Sequence, residues 1–255
     1  MRRRLARKLS PSTDPRRSGA KRVAIVQSNY IPWKGYFDLI NLVDEFVLFD
    51  DRQFTRRDWR NRNLIKTAQG LHWLTIPVRV KGRFEQRIDE TMIGEREWAE
   101  RHWKTISHAY GSAPFFGQYQ AAIAALYASS GEERLSDVNR RFLEAICGLL
   151  GIRTRLSWST DYPTTGERTE RLVNICRLAG ASDYLSGPAA RAYIDEAQFE
   201  AAGIGLAYMD YSGYPEYTQL HGAFEHGVSV LDLLFNVGAD APRYMKSFGA
   251  QVTAP

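Results

Sequence analysis

The chain is poor in cysteine, with two in 255 residues, and it has no run of eighteen apolar residues. The first shortage leaves no disulfide framework and no cysteine-rich metal site, and the second excludes a membrane-spanning helix. Cys147 and Cys176 each sit inside a helical apolar pattern, FLEAICGLL and RLVNICRLAG, and read as buried free thiols. The start of the chain lacks the apolar stretch of a secretory signal, so a cytoplasmic location is expected. Histidine is also scarce. His72, His108, His221 and His226 show no metal-ligand spacing, so no metal is expected.

The formal net charge of +5 suggests a nucleic-acid partner until its distribution is read. Residues 1–22 hold nine Lys and Arg against one Asp, which leaves the rest of the chain at −3. A mildly acidic body argues against nucleic acid. Residues 1–21 are rich in Arg, Ser and Pro, have no periodic apolar face, and are expected to form a disordered basic tail or to reflect a mis-assigned start. Residues 22–250 are expected to form a single α/β domain, with apolar content sufficient for a sizeable core.

The most informative stretch is VAIVQSNYIPWKGYFDLINLVDEFVLFDDRQF, residues 23 to 54. It reads as a β-branched strand, an aromatic turn with Pro and Gly, a helix from Tyr36 to Val43, and a second strand ending in two aspartates. This is a βαβ-type unit. Asn63 to Lys66 and Leu71 to Val80 read as two strands joined at Gly70, with Pro77 marking an edge or strand end. A helical block of about residues 95–150 follows: WAERHWKTISHAY, FFGQYQAAIAALYAS and LSDVNRRFLEAICGLLG, the last with Ser136 as its N-cap. Strand and helix patterns then alternate through TRLSWS, TERLVNICRLAGA, DYLSG, a helical turn near Ile194 to Ala202, and IGLAYMDY, before a helix stopped at Gly238. The expected fold is therefore α/β, a Rossmann-like parallel or mixed sheet with an inserted helical block.

In such sheets ligands sit outside the carboxyl ends of the strands, which points to Gln27, Ser28 and Asn29 after the first strand and to Asp50 and Asp51 after the second. Gln27, Tyr30, Trp33, Tyr36, Asp51 and the loop from Arg57 to Arg62 are expected to line one pocket. Asp51 is the candidate base or amine-binding carboxylate, with loop capping as the alternative. Arg57, Trp59, Asn61, Arg62 and Asn63 alternate guanidinium, indole and carboxamide, a set able to hold phosphate and stack on a planar ring; the alternative is a solvated loop anchored by Trp59. His102 lies on the apolar stripe of its helix, one turn from Trp98, as a core histidine or a general base. Ser186 and Gly187 stand between a strand and a helix, where a hydroxyl and backbone amides can hold an anion. Tyr217 and Gln219, in the tyrosine-rich stretch YMDYSGYPEYTQL, suit ring stacking on a sugar or cover for a core. Ser186 lacks the GxSxG setting of a hydrolase nucleophile.

Seven blocks carry a resemblance: QSNYIPWKGYFDLI, FDDRQFTRRDWRNRN, HWLTIPV, WAERHW, DYLSGPAARAYI, YMDYSGYPEYTQL and SVLDLLFNVG. In this order and spacing, from about residue 22 to 245, the chain resembles the WbqC-like protein family. The resemblance implies a place in O-antigen, other surface-glycan or specialised-metabolite biosynthesis, with no catalytic residue set or cofactor to carry over. A weaker, fold-level likeness is to the HxGH nucleotidyltransferases. Pro32-Trp33-Lys34-Gly35-Tyr36 stands where their phosphate-binding turn lies, with Trp33 and Tyr36 replacing the two histidines and Gly35 allowing close backbone approach.

The leading expectation is a transferase that modifies an activated small molecule such as a nucleotide-linked sugar, through acyl or aminoacyl transfer to an amine. The alternatives are a nucleotidyltransferase or adenylate-forming ligase, and a non-catalytic binding partner of a biosynthetic complex.

Overall fold

The computed structural model describes residues 20–248; residues 1–19, where most of the expected tail falls, lie outside them. Five strands form one parallel sheet: β1 (Arg22–Val26), β2 (Glu45–Leu48), β5 (Arg155–Trp158), β6 (Asp183–Ser186) and β7 (Gly205–Tyr208). Their spatial order is β5-β2-β1-β6-β7. The chain starts in the middle of the sheet, builds outward on one side, and then returns to build outward on the other. The fold is thus a Rossmann-like α/β fold with its topological switch between β1 and β6.

Both faces of the central strands are apolar, and each face has its own core. Ala24, Phe46 and Leu48 point into the larger one, while their neighbours Val23, Ile25 and Val47 point into the smaller. That is the period-two alternation of a strand buried on both sides, and it explains why β1 and β2 read as nearly continuous hydrophobic runs. The larger core is covered by α1 (Lys34–Asn41), by the helical block α2 (Trp98–Tyr110), α3 (Phe116–Ala128) and α4 (Leu135–Leu150), and by α7 (Val230–Val237). The smaller is covered by α5 (Arg168–Leu178) and α6 (Glu196–Ala201), where Tyr184 and Phe199 stack with centroids 5.0 Å apart. Cys147 and Cys176 are both buried, one in each core, so the sheet itself keeps the two sulfurs from pairing.

The antiparallel hairpin β3 (Arg62–Thr67) and β4 (Gly70–Thr75) turns at Gly70, whose φ of +106° requires glycine. The second strand stops at Thr75 instead of running to Val80. Ile76 N–H still bonds the Asn61 carbonyl in register, but the next residue, Pro77, has no N–H to extend the ladder. Ser136 is not the cap of α4: Arg134 holds that position, and the Ser136 hydroxyl instead donates to Asp50 at 2.6 Å. Lys21, the last residue of the expected tail, is part of the fold. Its carbonyl accepts from Ser182 and Asp183 N–H, and its ammonium pairs with the fully buried Glu45 at 2.7 Å. Among the described residues no helix is long and apolar enough to cross a membrane.

Candidate functional site

A cavity of about 1210 Å³ opens at the switch point. Its floor is the carboxyl ends of β1 (Val26, Gln27) and β6 (Ser186, Gly187), and one wall is the 3-10 turn Pro188–Ala192 with Tyr193. The opposite wall carries Phe49, Arg52, Gln53 and Arg60, and Arg168 and Leu172 enter from the N-terminal half of α5. Parallel strands with crossovers leaving in opposite directions cannot be covered at this point, so the crevice is a consequence of strand order.

Three arginines line it and no carboxylate does. Arg60 is held from behind by the Gln27 carbonyl at 3.3 Å and by the side chain of Asn29, with Asp58 at 3.7 Å. Arg52 lies over the Phe49 ring at 4.6 Å. Arg168 is exposed, makes no ion pair among the described residues, and sits at φ +47°. A non-glycine residue in the left-handed region needs support from its surroundings, and here the conformation falls where the chain enters both α5 and the crevice. Phe49, Tyr184, Tyr193 and Tyr211 supply ring surface. An anion joined to a planar group matches such a lining, since guanidinium forks grip phosphate or carboxylate and the rings accept a flat neighbour.

Of the expected site residues, Gln27, Ser186 and Gly187 line this crevice. Tyr36 stands just behind it, its hydroxyl donating to the Gln27 carbonyl at 2.9 Å. The expected single pocket is otherwise divided. Trp33 and Trp59 line a separate cleft of about 290 Å³, and Asp51 lines a third hollow of about 160 Å³ beside Asp50, Asp89 and Ser159.

Asp51 is tied down: Arg171 of α5 pairs with it, the Ser159 hydroxyl donates to it at 2.8 Å, and Arg52 lies at 3.4 Å. Burial works to raise its pKa, but those hydrogen bonds and the charges of Arg52 and Arg171 together hold the carboxyl below the usual range. These contacts make Asp51 a bracket between the end of β2 and α5, in keeping with the capping alternative, and they favour its anionic form. Its neighbour Asp50 is more buried still, accepting from Ser28 N–H at 2.7 Å and from Ser136, and burial raises its pKa.

His102 and Tyr30 are core residues. The Tyr30 hydroxyl meets His102 Nδ1 at 2.9 Å and the Tyr127 hydroxyl at 2.5 Å, and His102 Nε2 lies 3.2 Å from the Thr75 carbonyl. Burial pushes the imidazole down to about 4, so it is neutral and satisfied where it stands, away from the crevice. The structure thus places His102 as the core histidine of the two readings offered for it, and places Tyr30 outside the crevice lining.

The loop after Phe54 is likewise structural in part. Asn61 donates to the Ile76 carbonyl at 2.8 Å, Arg62 stacks over Trp73 at 4.0 Å and bonds the Arg57 carbonyl, and Trp59 packs on Trp73 at 5.3 Å. None of Arg57, Asn61 and Arg62 lines the crevice; Arg60, between them, does. Tyr217 donates to the buried Asp232 at 2.8 Å, and Gln219 accepts from buried Lys66 at 2.9 Å, so both anchor the tyrosine-rich loop on the larger core.

The turn likened to the HxGH signature turns its lysine inward. Lys34 donates to the Pro215 carbonyl at 2.9 Å amid the rings of Tyr214, Tyr217 and Phe224, and burial lowers its pKa to about 8. Gly35 is needed because a Cβ there would fall inside the Trp33 indole, not to admit a phosphate. Among the described residues no group of three or more His, Cys, Asp or Glu is placed to hold a metal ion.

The family model of WbqC-like proteins matches residues 27–244, which carry the crevice from Gln27 through Tyr211. The chain belongs to the WbqC-like protein family. It is 54% identical over 226 residues to the uncharacterized protein Rv1507c of Mycobacterium tuberculosis, a match covering 89% of this chain and 98% of that one. No solved structure matches it. For this WbqC-like protein, the crevice at the switch point is the candidate active site. Arg52, Arg168 and Tyr193 escaped sequence reasoning because they come from segments far apart in the chain. The available signal was the pair of strand ends, 26–28 and 186–187, whose adjacency depends on strand order.

Proposed function

We propose that this WbqC-like protein is a biosynthetic transferase acting on a nucleotide-linked small molecule bound in the crevice between β1 and β6. The observation that carries the reading is the lining: Arg52, Arg60 and Arg168 with no carboxylate, at the switch point of the parallel sheet β5-β2-β1-β6-β7. The arginines hold the phosphates of an activated donor and take up the negative charge that gathers on them as the transferred group departs. Gln27 and the Ser186-Gly187 turn offer donors for an oxygen of the group in transit, and Tyr193 or Tyr211 offers a face to a base or sugar. A setting in surface-glycan or specialised-metabolite biosynthesis belongs to the same proposal, supported by what the resemblance to the WbqC-like family implies. The nucleotidyltransferase alternative loses its main support, because the turn that resembled a phosphate loop buries Lys34.

Isothermal titration with uridine, cytidine and adenosine diphosphates and their sugar-linked forms tests the reading. At least one is expected to bind, and Arg168→Gly to weaken it tenfold or more while leaving the melting temperature near that of the parent. No binding by any anionic nucleotide, or binding that ignores Arg168 and Arg60, would remove the proposal.

A further inference from the structure

The cleft beside the crevice has a lining of opposite character. Asn29, Pro32 and Trp33 come from the loop after β1, Trp59 from the loop before β3, Asn63 from β3, and His226 and Gly227 from the loop before α7. Its volume of about 290 Å³ suits one ring-sized group, and none of its lining residues is Lys, Arg, Asp or Glu. The Trp59 side chain is exposed, and two indoles and a proline give the cleft apolar walls.

The polar groups left over in it are mostly donors. Asn63 is fully used, its amide donating to the Tyr30 and Ile31 carbonyls and its oxygen accepting from Leu64 N–H. The Asn29 oxygen is taken by Arg60, which leaves the Asn29 NH₂. Neither indole N–H has a hydrogen bond among the described residues. The His226 imidazole has none either, and only meets the Phe224 ring edge-on at 4.5 Å.

The cleft and the crevice share a partition. Asn29 lines the cleft and binds Arg60, which lines the crevice; Trp33 lines the cleft and meets, at 5.1 Å and 72°, the ring of Tyr211, which lines the crevice. A ligand in one is therefore a side chain's width from a ligand in the other.

We infer that the Trp33-Trp59 cleft is the subsite for a neutral sugar ring, the second substrate of the reaction proposed for the crevice, on which this inference rests. A pyranose has an apolar C–H face for an indole and a rim of hydroxyl oxygens for N–H donors, and it carries no charge that this lining would leave unpaired. Charged phosphates go to the arginines and the uncharged ring to the tryptophans, which brings a donor and an acceptor together across one partition.

Saturation-transfer NMR on the full chain, with methyl β-D-glucopyranoside and methyl N-acetyl-β-D-glucosaminide as probes and adenosine as the flat aromatic control, tests the subsite. Glycoside signals are expected, falling at least tenfold in Trp59→Ala and severalfold in His226→Gln, and unchanged in Arg168→Gly. If Trp59→Ala does not fold, Trp59→Phe is expected to halve the signal or better. No transfer to either glycoside, signals indifferent to residues 59 and 226, or binding of adenosine alone would each overturn the assignment. Loss of nucleotide binding in the crevice is read separately by titration, so the two readings can fail independently.

Discussion

Arg171 pairs with Asp51 across the gap between α5 and the carboxyl end of β2, and both side chains are largely withdrawn from water. Because Arg168 lies one turn earlier on the same helix, this pair fixes the wall that presents Arg168 to the crevice. Asp51→Asn is expected to cost on the order of 3 kcal/mol, since it leaves a guanidinium facing an uncharged partner. Arg171→Ala should cost a similar amount, and the double variant less than the sum of the two, as read from urea midpoints. Additive losses would mean that the pair is not coupled.

For ligand binding, Arg60→Lys and Arg168→Gly are expected to differ in a telling way. Lysine keeps the charge at position 60 but loses the fork that grips the Gln27 carbonyl and Asn29, so both stability and affinity should fall. Glycine at 168 removes the charge while relieving a left-handed backbone, so affinity should fall and stability hold or rise slightly. Calorimetric titration beside thermal melts separates the two patterns.

His102 predicts an acid limb in the stability profile. Its pKa in the folded chain, about 4, lies below the ordinary 6.5, so the unfolded chain binds more protons between those values. Stability is therefore lost as pH falls from about 6.5 to 4, by about 3 kcal/mol for this group. His102→Gln should flatten that part of the curve relative to the parent when unfolding free energies are compared from pH 7 to pH 4.

Truncation has a sharp expected boundary. Removing residues 1–19 is expected to leave the melting temperature unchanged, given their composition. Lys21→Ala should lower stability by about 2 kcal/mol, less than for a fully enclosed pair, because Lys21 keeps about a third of its side chain in water while Glu45 keeps none.

The central sheet and the helical block were legible because their signals are local. The strand at 23–27 is a β-branched run, and α2 was expected at 98–110, where it is observed, from Trp98, His102 and Ile106 on one stripe. The candidate site was only half legible. Gln27, Ser186 and Gly187 follow from the rule that ligands gather at strand ends, but β6 adjoins β1 only through a long-range choice of strand order that no window of sequence contains. The choice between the two readings offered for Asp51 and for His102 is illegible in sequence for one shared reason. A polar residue beside apolar ones looks the same in sequence whether its partner is a substrate or, as here, Arg171 and Tyr30 from distant segments.

The two thiols, set in opposite layers of the molecule with their pKa values pushed up to about 12 by burial, make the chain its own reporter. Each becomes reactive only when the layer over it opens, so alkylation of native protein reads two separate opening equilibria at known addresses. Cys176 lies on α5, the helix that carries Arg168, whereas Cys147 lies on α4 at the other face. A nucleotide that seats against Arg168 should slow labelling at Cys176 and leave Cys147 at its former rate, turning occupancy of the crevice into a signal that needs no knowledge of the reaction.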